Sequence, residues 1–539
     1  MVGRKEQKGY TFWTDKLADE IVTRKKFYYT EDKIPKFKKF VVKTSASLSG
    51  VLHIGRLSDT IRGDAVYKSL KDAGVNAEVI WVAEDMDPLR KVPEGVPKDY
   101  EEFIGMPVTD IPDPTACHKS YAEHHISEYF KVIDEFVSTK MKKFSMREEY
   151  KKGNFNKYIK ILIEHIEELK EIQNKYRTNK LPESWSPWTP VCDTCGKIVT
   201  PKIIGLSEGK VSYKCEDYKF EKYIAKGCAY EGENNPLKGN GKLLWKSEWG
   251  SQWTRWNVCS EGAGKEYQVP GSAFWINGEI VEKILKFPMP VPIFYEHLTI
   301  DGQKMSASVG NVVYPNDWLQ VAPPELLRLL YLKDPMRVRD FRWDFIPNMM
   351  DEMDDLANAY YGIKEITNQR DKVTMQRLFE MIQLRQLPSK HQSTISYNLL
   401  LEIVKILPDK NQLEFAINKL KEWSKLGTVT NKTKKLIDER LKLAIKWYGR
   451  FAKAAEKVEL NQEERFVIHE LINAIKEEED GERLQIRIFE LVNKHKLNPK
   501  GVFTTIYKIL LNSDKGPRLG PYIIERGKEE VIEKLKAVL

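Results

Sequence analysis

The sequence predicts an α/β protein in which a parallel-sheet domain carries an insertion and is followed by an all-helical region. Three observations lead to this fold class: a strand-turn-helix-strand pattern near the N-terminus, a cysteine cluster in the middle of the chain, and helical periodicity over almost all residues after Pro324. A chain of 539 residues is too long for a single core, so several domains are expected.

The first pattern is a β-turn-α-β unit. Residues 40–42 have the apolar, β-branched character of a short buried strand, and they run into a small-residue turn at residues 44–50. A helix then starts near Leu52 and ends at Gly74, before a second strand at residues 79–82. Such units build parallel sheets that bind ligands at the carboxyl ends of their strands, so this turn is where a nucleotide would lie.

The strand-helix alternation stops near residue 95, and sheet-like segments return at residues 291–295. The stretch between them combines helical segments, Gly-rich turns and the cysteines, which indicates an insertion within the sheet domain. We therefore expect the two halves of the sheet domain at residues 1–95 and 246–325, the insertion at 96–245, and two helical domains at 326–390 and 391–539.

Composition narrows the class of protein. The sequence is 41% hydrophobic and 31% charged, as in ordinary folded proteins, and it has no apolar run long enough to span a membrane. The charged first ten residues lack the apolar core of a signal peptide, so a cytoplasmic location without a membrane partner is expected. The net charge of +9 suits a polyanionic partner but is also common among ordinary enzymes.

The first motif with chemical meaning is His53-Ile54-Gly55-Arg56, which follows Gly50 between the first strand and the first helix. Small residues let the backbone approach a nucleotide, and the helix N-terminus offers N–H groups and a positive dipole end to phosphates. The His53 side chain would add a donor that strengthens as charge develops in the transition state. The competing interpretation is a chance match with a structural histidine.

The second motif is Lys304-Met305-Ser306-Ala307-Ser308, in a polar loop after the late strand. A lysine on a mobile loop can reach a pyrophosphate leaving group, while neighbouring hydroxyls and backbone amides hold the other oxygens. The competing interpretation is a surface turn with an ordinary exposed lysine.

Together the two motifs resemble the HIGH and KMSKS signatures of class I aminoacyl-tRNA synthetases, in the order found in that family. Arg56 and Ala307 depart from the two consensus sequences. The resemblance implies catalytic roles for His53 and Lys304, a stem-contact role for segment 326–390 and anticodon binding by segment 391–539. It also implies that ATP, accompanied by Mg²⁺, binds at Gly50, His53, Ile54, Gly55, Arg56, Lys304, Met305, Ser306 and Ser308.

Five further segments carry a more specific resemblance. They are WVAEDMDPLRKVP at 81–93, GMP at 105–107, PDP at 112–114, CHKSYAEH at 117–124 and GPRLGP at 516–521. These segments are similar to class I lysyl-tRNA synthetases, which implies that lysine is activated with ATP and transferred to tRNA(Lys). The alternatives are a class I synthetase for glutamate, glutamine or cysteine, a nucleotidyltransferase, and a non-catalytic zinc-containing RNA-binding protein.

Recognition of lysine requires groups that tolerate a desolvated ammonium, namely carboxylates or aromatic walls. Glu84 and Asp85 follow a predicted strand and would supply the charge, and Trp249 with its neighbouring tryptophans would supply the walls. Ser45 and Ser47 stand where the lysyl family often has Gly-x-Thr, so the resemblance assigns them to amino-acid binding. The competing interpretation is that the acids cap the strand end and the tryptophans form core.

The cysteine cluster has the spacing of a zinc site. Cys192-x2-Cys195 matches a zinc knuckle, and Cys215 and Cys228 would complete a tetrahedral thiolate site, with Cys259 as an alternative ligand. The competing interpretation is a group of buried reduced thiols.

A second metal constellation consists of Asp113, Cys117, His118 and His124. Their spacing allows oxygen, sulfur and nitrogen ligands to surround one ion, and the matching region of the lysyl family implies a metal there too. The competing interpretation is a polar helix surface.

Residues 419–453 in the helical part are rich in lysine, with Trp423, Trp447 and Tyr448 interleaved. This mixture suits a surface that contacts RNA phosphates and bases. It suits equally a solvated helix face whose aromatic side chains turn inward.

Overall fold

A computed structural model describes residues 11–48, 52–92, 96–305, 311–391, 395–451, 460–495, 497–511 and 516–539. The chain forms two compact units. The first consists of Met1–Leu319, Pro323–Arg342 and Leu356–Ser389, and the second of Gln320–Ala322, Trp343–Asp355 and Lys390–Leu539.

The first unit contains the strands of the described chain. In chain order they are β1 (Phe40–Ser47), β2 (Ala77–Glu84), β3 (Lys142–Ser145), β4 (Trp188–Pro190), β5 (Pro201–Ser207), β6 (Lys210–Cys215), β7 (Tyr218–Lys219), β8 (Ile224–Ala225), β9 (Glu231–Asn234), β10 (Gly241–Leu243), β11 (Val258–Gly264), β12 (Val291–Tyr295), β13 (Leu298–Ile300), β14 (Gln303–Lys304) and β15 (Arg339–Phe341). Five of them form the central sheet, in the order β12-β11-β1-β2-β3, and every neighbouring pair is parallel. The predicted α/β class with a parallel sheet is confirmed.

The α-helices flank this sheet and continue to the end of the chain. Up to residue 382 they are α1 (Trp13–Thr23), α2 (Ile54–Asp72), α3 (Tyr121–Ile133), α4 (Met146–Lys151), α5 (Asn156–Glu164), α6 (Ile166–Asn174), α7 (Trp245–Trp256), α8 (Ala273–Lys283), α9 (Pro315–Val321), α10 (Pro324–Leu332), α11 (Ile346–Tyr360) and α12 (Gln369–Ile382). Short 3-10 helices lie at Lys98–Phe103, Asp134–Phe136, Pro236–Lys238, Lys265–Tyr267 and Trp343–Phe345.

The β1-α2-β2 unit follows the predicted pattern with one difference. Strand β1 continues to Ser47, through residues expected to form a turn, because it pairs residue for residue with β2 and also pairs with β11. Backbone pairing on both sides holds these small residues extended despite their turn-like composition. Helix α2 ends at Asp72, and Gly74 follows it with a φ of +77°, a conformation that glycine adopts without steric cost.

The segment expected to form an insertion contributes to two sheets. Strand β3 comes from within residues 96–245, yet it pairs parallel with β2 at the edge of the central sheet. The same segment also forms a separate antiparallel sheet, β5-β6-β9, which carries Cys215 at the end of β6. It therefore builds part of the catalytic sheet as well as the cysteine module.

A hairpin leads from the central sheet to the second motif. Strands β13 and β14 are joined by a two-residue turn at Asp301 and Gly302, both with positive φ, as expected for a tight hairpin. Strand β15, from the region after α10, pairs parallel with β13 and completes a three-stranded sheet. The chain after Pro324 is therefore helical as predicted, apart from this short strand.

The second unit is helical in the part that the structure describes. Its further helices are α13 (Tyr397–Val404), α14 (Gln412–Glu422), α15 (Asn431–Phe451), α16 (Gln462–Glu477), α17 (Gly481–Lys494), α18 (Pro499–Leu511), α19 (Leu519–Arg526) and α20 (Lys528–Lys536). Apolar residues between Ile406 and Leu535 form its core. Trp447 is buried and donates to the carbonyl of Trp343 at 2.8 Å, so this aromatic side chain turns inward. Among all described residues, none of the helices is long and apolar enough to cross a membrane.

Candidate active site and metal centres

The first motif lies at the start of α2, at the carboxyl edge of the central sheet. His53 is the N-cap residue, and its Nδ1 accepts a hydrogen bond from the Gly55 N–H at 3.2 Å. The backbone of Ile54 is fixed on both sides, because its N–H donates to the Val313 carbonyl and its carbonyl accepts from the Tyr331 hydroxyl, each at 2.9 Å. The motif is therefore held rigidly, as a phosphate-binding helix start requires.

The imidazole of His53 is neutral at physiological pH. Burial, together with the nearby positive charge of Arg56, lowers its pKa to about 4. Because Nδ1 accepts from Gly55, the proton of the neutral ring resides on Nε2, which is left as a donor. Arg56 itself is exposed on the first turn of α2.

The structure brings the two motifs into contact. A Cβ atom added to Gly55 would lie only 2.7 Å from Met305 Cε, so the absence of a side chain at this position allows Met305 to pack there. Met305 is buried, whereas Lys304 is exposed at the end of β14. Residues far apart in the chain therefore meet at the first turn of α2.

Three of the expected ATP-binding residues lie outside the described part of the chain. They are Gly50, Ser306 and Ser308.

The acidic residues at the end of β2 differ in their surroundings. Glu84 is buried, accepts from Gln252 Nε2 at 3.1 Å and lies 3.8 Å from Lys43 Nζ. The Asp85 carboxylate accepts from the backbone N–H of Arg147 at 2.9 Å, in the first turn of α4. Asp85 thus holds a neighbouring helix start, while Glu84 belongs to a network of charged side chains.

This network contains more acids than bases. Lys43 lies 2.6 Å from Glu261, and Lys242 lies 3.2 Å from Asp87 and 3.1 Å from Glu248. With Glu84, four carboxylates therefore share two lysines. Burial raises the pKa of Glu84 to about 8, which reflects the cost of another negative charge there.

The two serines of β1 face different partners in this region. The Ser47 hydroxyl donates to Asp87 Oδ2 at 2.6 Å, which joins it to the acidic network. The Ser45 N–H donates to Asp59 Oδ2 at 3.1 Å. Both serines are half-buried and lie near the carboxyl end of the central strand β1.

Trp249 belongs to an aromatic cluster on α7. Its ring stacks on Trp245 with centroids 4.7 Å apart and packs edge to face against Tyr267 and Phe274. Trp249 is only 3% exposed, and its indole N–H has no hydrogen-bond partner among the described residues. Its ring is thus part of the packed core, with a buried donor to spare.

The sequence analysis did not identify Lys43, Lys242, Glu248 and Glu261 as site residues. A lysine inside the apolar strand Val41-Val42-Lys43 is a signal that a buried carboxylate must lie nearby. No comparable local signal marks Lys242, because its partners Asp87 and Glu248 come from other elements.

The first metal constellation converges as its spacing predicts. The Sγ atoms of Cys192 and Cys228, and those of Cys195 and Cys215, are 3.6 Å apart, and all four lie within 4.8 Å of one another. Zn–S bonds of about 2.3 Å in a tetrahedral site place sulfurs about 3.8 Å apart, so the four thiols fit zinc. The alternative ligand Cys259 lies elsewhere, buried with its thiol directed at the Val41 carbonyl.

The second constellation converges as well. Cys117 Sγ lies 3.2 Å from Asp113 Oδ2, 2.9 Å from His118 Nδ1 and 3.2 Å from His124 Nδ1. The Ser127 hydroxyl lies 2.9 Å from His118 Nε2 and orients that ring, as partners of metal-binding histidines commonly do. Mixed sulfur, nitrogen and oxygen donors suit a zinc ion.

Comparison with known proteins agrees with this architecture. A sequence profile of the family described as "tRNA synthetases class I (K)" matches residues 11–385. The chain is 30% identical to the lysine–tRNA ligase of Methanocaldococcus jannaschii over 550 residues, which covers 97% of this chain and 99% of the relative. It is 28% identical to the lysine–tRNA ligase of Methanosphaera stadtmanae over 554 residues, with the same coverage.

Solved structures are also similar to the chain. One is a glutamate tRNA ligase from Elizabethkingia meningosepticum, at 13% identity and a TM-score of 0.40, covering 93% of this chain and 99% of that one. The profile match over residues 11–385 and the nearly full-length relatives, on a sheet whose two motif segments meet, show that the chain belongs to the class I tRNA synthetases.

Proposed function

We propose that the protein is a lysine–tRNA ligase that activates lysine with ATP and loads it onto tRNA(Lys). In the first step a lysine carboxylate oxygen attacks the α-phosphorus of ATP and pyrophosphate leaves, which yields lysyl-adenylate. In the second step the terminal adenosine of tRNA attacks the lysyl carbonyl carbon and AMP leaves. The observation that carries this proposal is the contact of Gly55 with Met305, which joins the two motifs at the carboxyl edge of the sheet.

His53 would act as a neutral donor. Its Nε2–H is available because Nδ1 is occupied by the Gly55 N–H, and its low pKa keeps the ring uncharged. A fixed donor of this kind stabilises the pentavalent α-phosphate more than the ground state, because the negative charge on the phosphate oxygens increases during attack.

Lys304 would neutralise the leaving pyrophosphate. Its exposed ammonium follows a tight hairpin and precedes Met305, whose contact with Gly55 anchors the strand end beside the start of α2. The neighbouring Ser306 and Ser308 are proposed to hold further phosphate oxygens. ATP would arrive with Mg²⁺ on its phosphates, and the protein's own task is alignment and charge stabilisation.

The acidic network supports lysine as the substrate. Four carboxylates share Lys43 and Lys242, so a further cation near Ser47 and Asp87 lowers the electrostatic energy of the site. A substrate with an acidic or neutral side chain offers no such gain. We propose Ser45, Ser47 and Glu84, with the wall that includes Trp249, as the lysine-binding residues; Asp85 contributes charge from beneath.

The two metal constellations are proposed as structural zinc sites. Zinc would be held by Cys192, Cys195, Cys215 and Cys228 in one site and by Asp113, Cys117, His118 and His124 in the other. Each set supplies four protein ligands and leaves no open position, which is typical of structural sites.

The helical part is proposed to bind tRNA, with residues 326–390 contacting the acceptor stem and residues 391–539 the anticodon. The net charge of +9 supports a polyanionic partner. The reaction would take place in the cytoplasm, where lysine, ATP and tRNA are present together.

The test is aminoacylation of tRNA with each amino acid in turn, in the presence of ATP and Mg²⁺. We expect only lysine to be loaded. The Lys304→Ala variant should lose loading, whereas Lys98→Ala, which removes another exposed lysine, should retain it.

Each other outcome discriminates among the alternatives. Loading of a different amino acid would keep the family mechanism and contradict lysine as the substrate. Retained loading by Lys304→Ala would contradict the role of that residue. Binding of tRNA without any loading would favour a non-catalytic RNA-binding protein.

A further inference from the structure

An open cavity of about 390 Å³ lies in the first unit, where the start of α1 meets the end of α10 and the start of α12. The side chains that matter in its lining are Trp13, Lys16, Lys333, Asp334, Arg370 and Thr374. None of the residues proposed above for ATP, lysine or metal binding belongs to this lining. The cavity is therefore a feature that the aminoacylation site does not explain.

The cavity is predominantly positive. Lys16, Lys333 and Arg370 face a single lining carboxylate, Asp334, whose Oδ1 already accepts from the Met336 N–H at 3.1 Å. Helix α1 starts here, and no side chain caps its first turn, so the positive end of its dipole adds to the field. The combined charge attracts an anion.

The walls of the cavity are held together in advance. Arg377 of α12 donates to both carboxylate oxygens of Asp15 in α1, at 3.0 and 2.8 Å. Arg370, Thr374 and Arg377 are four and three residues apart, so they share one face of α12. The Trp13 Nε1–H donates to the Leu332 carbonyl at 2.8 Å, which ties α1 to α10 and occupies a carbonyl that would otherwise repel an anion. A ligand would therefore meet preorganised walls.

These features match the chemistry of a phosphate group. A guanidinium offers paired donors to phosphate oxygens, two ammonium groups add charge, and the Thr374 hydroxyl is a further donor. The open shape suits a segment of a polymer that continues past the cavity, and the Trp13 ring offers a surface for a neighbouring ribose or base. We infer that this cavity binds a backbone phosphate of tRNA, an inference that rests on the proposed function.

The experiment measures tRNA binding by the full-length protein at several salt concentrations. The variants are Lys16→Ala, Arg370→Ala and their combination. Each phosphate contact removed should reduce the slope of log affinity against log salt by about 0.7 to 0.9. The Michaelis constants for lysine and ATP should stay unchanged, because the cavity contains no residue of that site.

Two matched variants separate a specific contact from general charge. Arg370→Lys keeps a cation in place and should retain most of the slope. Lys286→Ala removes an exposed lysine outside the cavity and should leave the slope unaltered. An unchanged slope in the double variant, or an equal loss in Lys286→Ala, would overturn the inference.

A second probe identifies the source of the phosphate. Inorganic phosphate is titrated into the wild-type protein and the double variant by calorimetry. Phosphate binding that the double variant loses, with an unchanged tRNA slope, would show a site for free phosphate and overturn the assignment to RNA. If the wild-type protein loads no lysine the proposed function fails, whereas the salt slope still decides the inference about the cavity.

Discussion

Gly55 is the residue at which the two motifs meet, and this makes it sensitive to added volume. A Cβ there would lie 2.7 Å from Met305 Cε and 2.8 Å from His53 Cε1, closer than side chains approach without moving. We expect Gly55→Ala to lower the kcat of aminoacylation by about 100-fold, because small displacements of reacting groups are that costly. Gly427→Ala is the control, since a Cβ there meets nothing within 4 Å. Full activity of Gly55→Ala would contradict the close packing of the motifs.

Asp59 makes the stability of the sheet domain depend on pH. It is buried on α2, and burial together with the charge of Glu261 raises its pKa to about 7. Lys43 and Arg62 face it as well and only partly offset this effect. A raised folded-state pKa means that the stability contributed by the protonated group is complete below about pH 4 and is lost as the pH rises towards 7.

Replacing Asp59 by Asn should therefore stabilise the protein more at pH 8 than at pH 5. Asparagine can still accept from the Ser45 N–H but never ionises. The expected difference is on the order of a few kcal/mol, since each unit of pKa corresponds to about 1.4 kcal/mol. Thermal unfolding of both proteins at the two pH values measures it, and an equal effect at both would show that Asp59 is not buried as a neutral acid.

At the residue scale, local sequence reveals some site residues and hides others. His53 and Lys304 stand in recognisable motifs, so they could be predicted. The partner of Asp85 could not, because the Arg147 N–H lies 62 residues away and becomes a neighbour only when β3 joins the sheet. The same holds for Lys43 and Glu261, whose contact spans 218 residues.

The hairpin β13-β14 depends on one exposed carboxylate. Asp340 Oδ1 accepts from the Thr299 hydroxyl and from the Gly302 N–H, both at 2.7 Å, and thereby ties the turn before Lys304 to β15. We expect Asp340→Ala to reduce kcat by about tenfold with an unchanged Michaelis constant for lysine, because the hairpin that positions Lys304 loosens. Asp340→Asn should retain part of the activity, since its amide oxygen still accepts.

Asp99→Ala, which removes another exposed carboxylate, is the matched control and should behave as the wild-type protein. An equal loss in the Michaelis constant for lysine would indicate instead that Asp340 acts on substrate binding.

The cysteine module should depend on zinc for its structure. We expect metal analysis to find two zinc ions per chain, with one lost in Cys192→Ser and the other lost in His124→Ala. Because a structural zinc site stabilises the fold around it, each variant should also unfold at a lower temperature. Cys259→Ser should keep both ions, since that thiol lies outside the cluster. Two ions in Cys192→Ser would contradict the tetrathiolate site.

At the scale of elements, long periodic segments are predictable and short ones are not. Helix α2 spans 19 residues, and its apolar spacing alone located it. Strand β3 is only Lys-Lys-Phe-Ser, with no apolar pattern, and it exists because β2 offers it a parallel edge. The extension of β1 to Ser47 has the same origin in pairing.

For the whole molecule, the sequence predicted a sheet domain followed by helices but not the composition of the compact units. Residues 343–355 belong to the second unit although the first resumes at residue 356. Such an exchange depends on contacts between distant segments, for which periodicity carries no information. The cores, in contrast, consist of the apolar positions that helical spacing picks out, such as Ile468, Leu471 and Ile475 in α16.

Separate cores predict separate unfolding transitions. Ile280 belongs to the core of the first unit and Leu471 to that of the second, and both are at most 1% exposed. Replacing either by Ala costs about 2 to 5 kcal/mol through lost burial and a cavity. Scanning calorimetry should therefore show two transitions, with Leu471→Ala lowering the midpoint of only one and Ile280→Ala that of the other. Ile486→Ala, at a site 59% exposed, should shift neither, and a joint shift of both transitions in either core variant would show that the two units unfold as one.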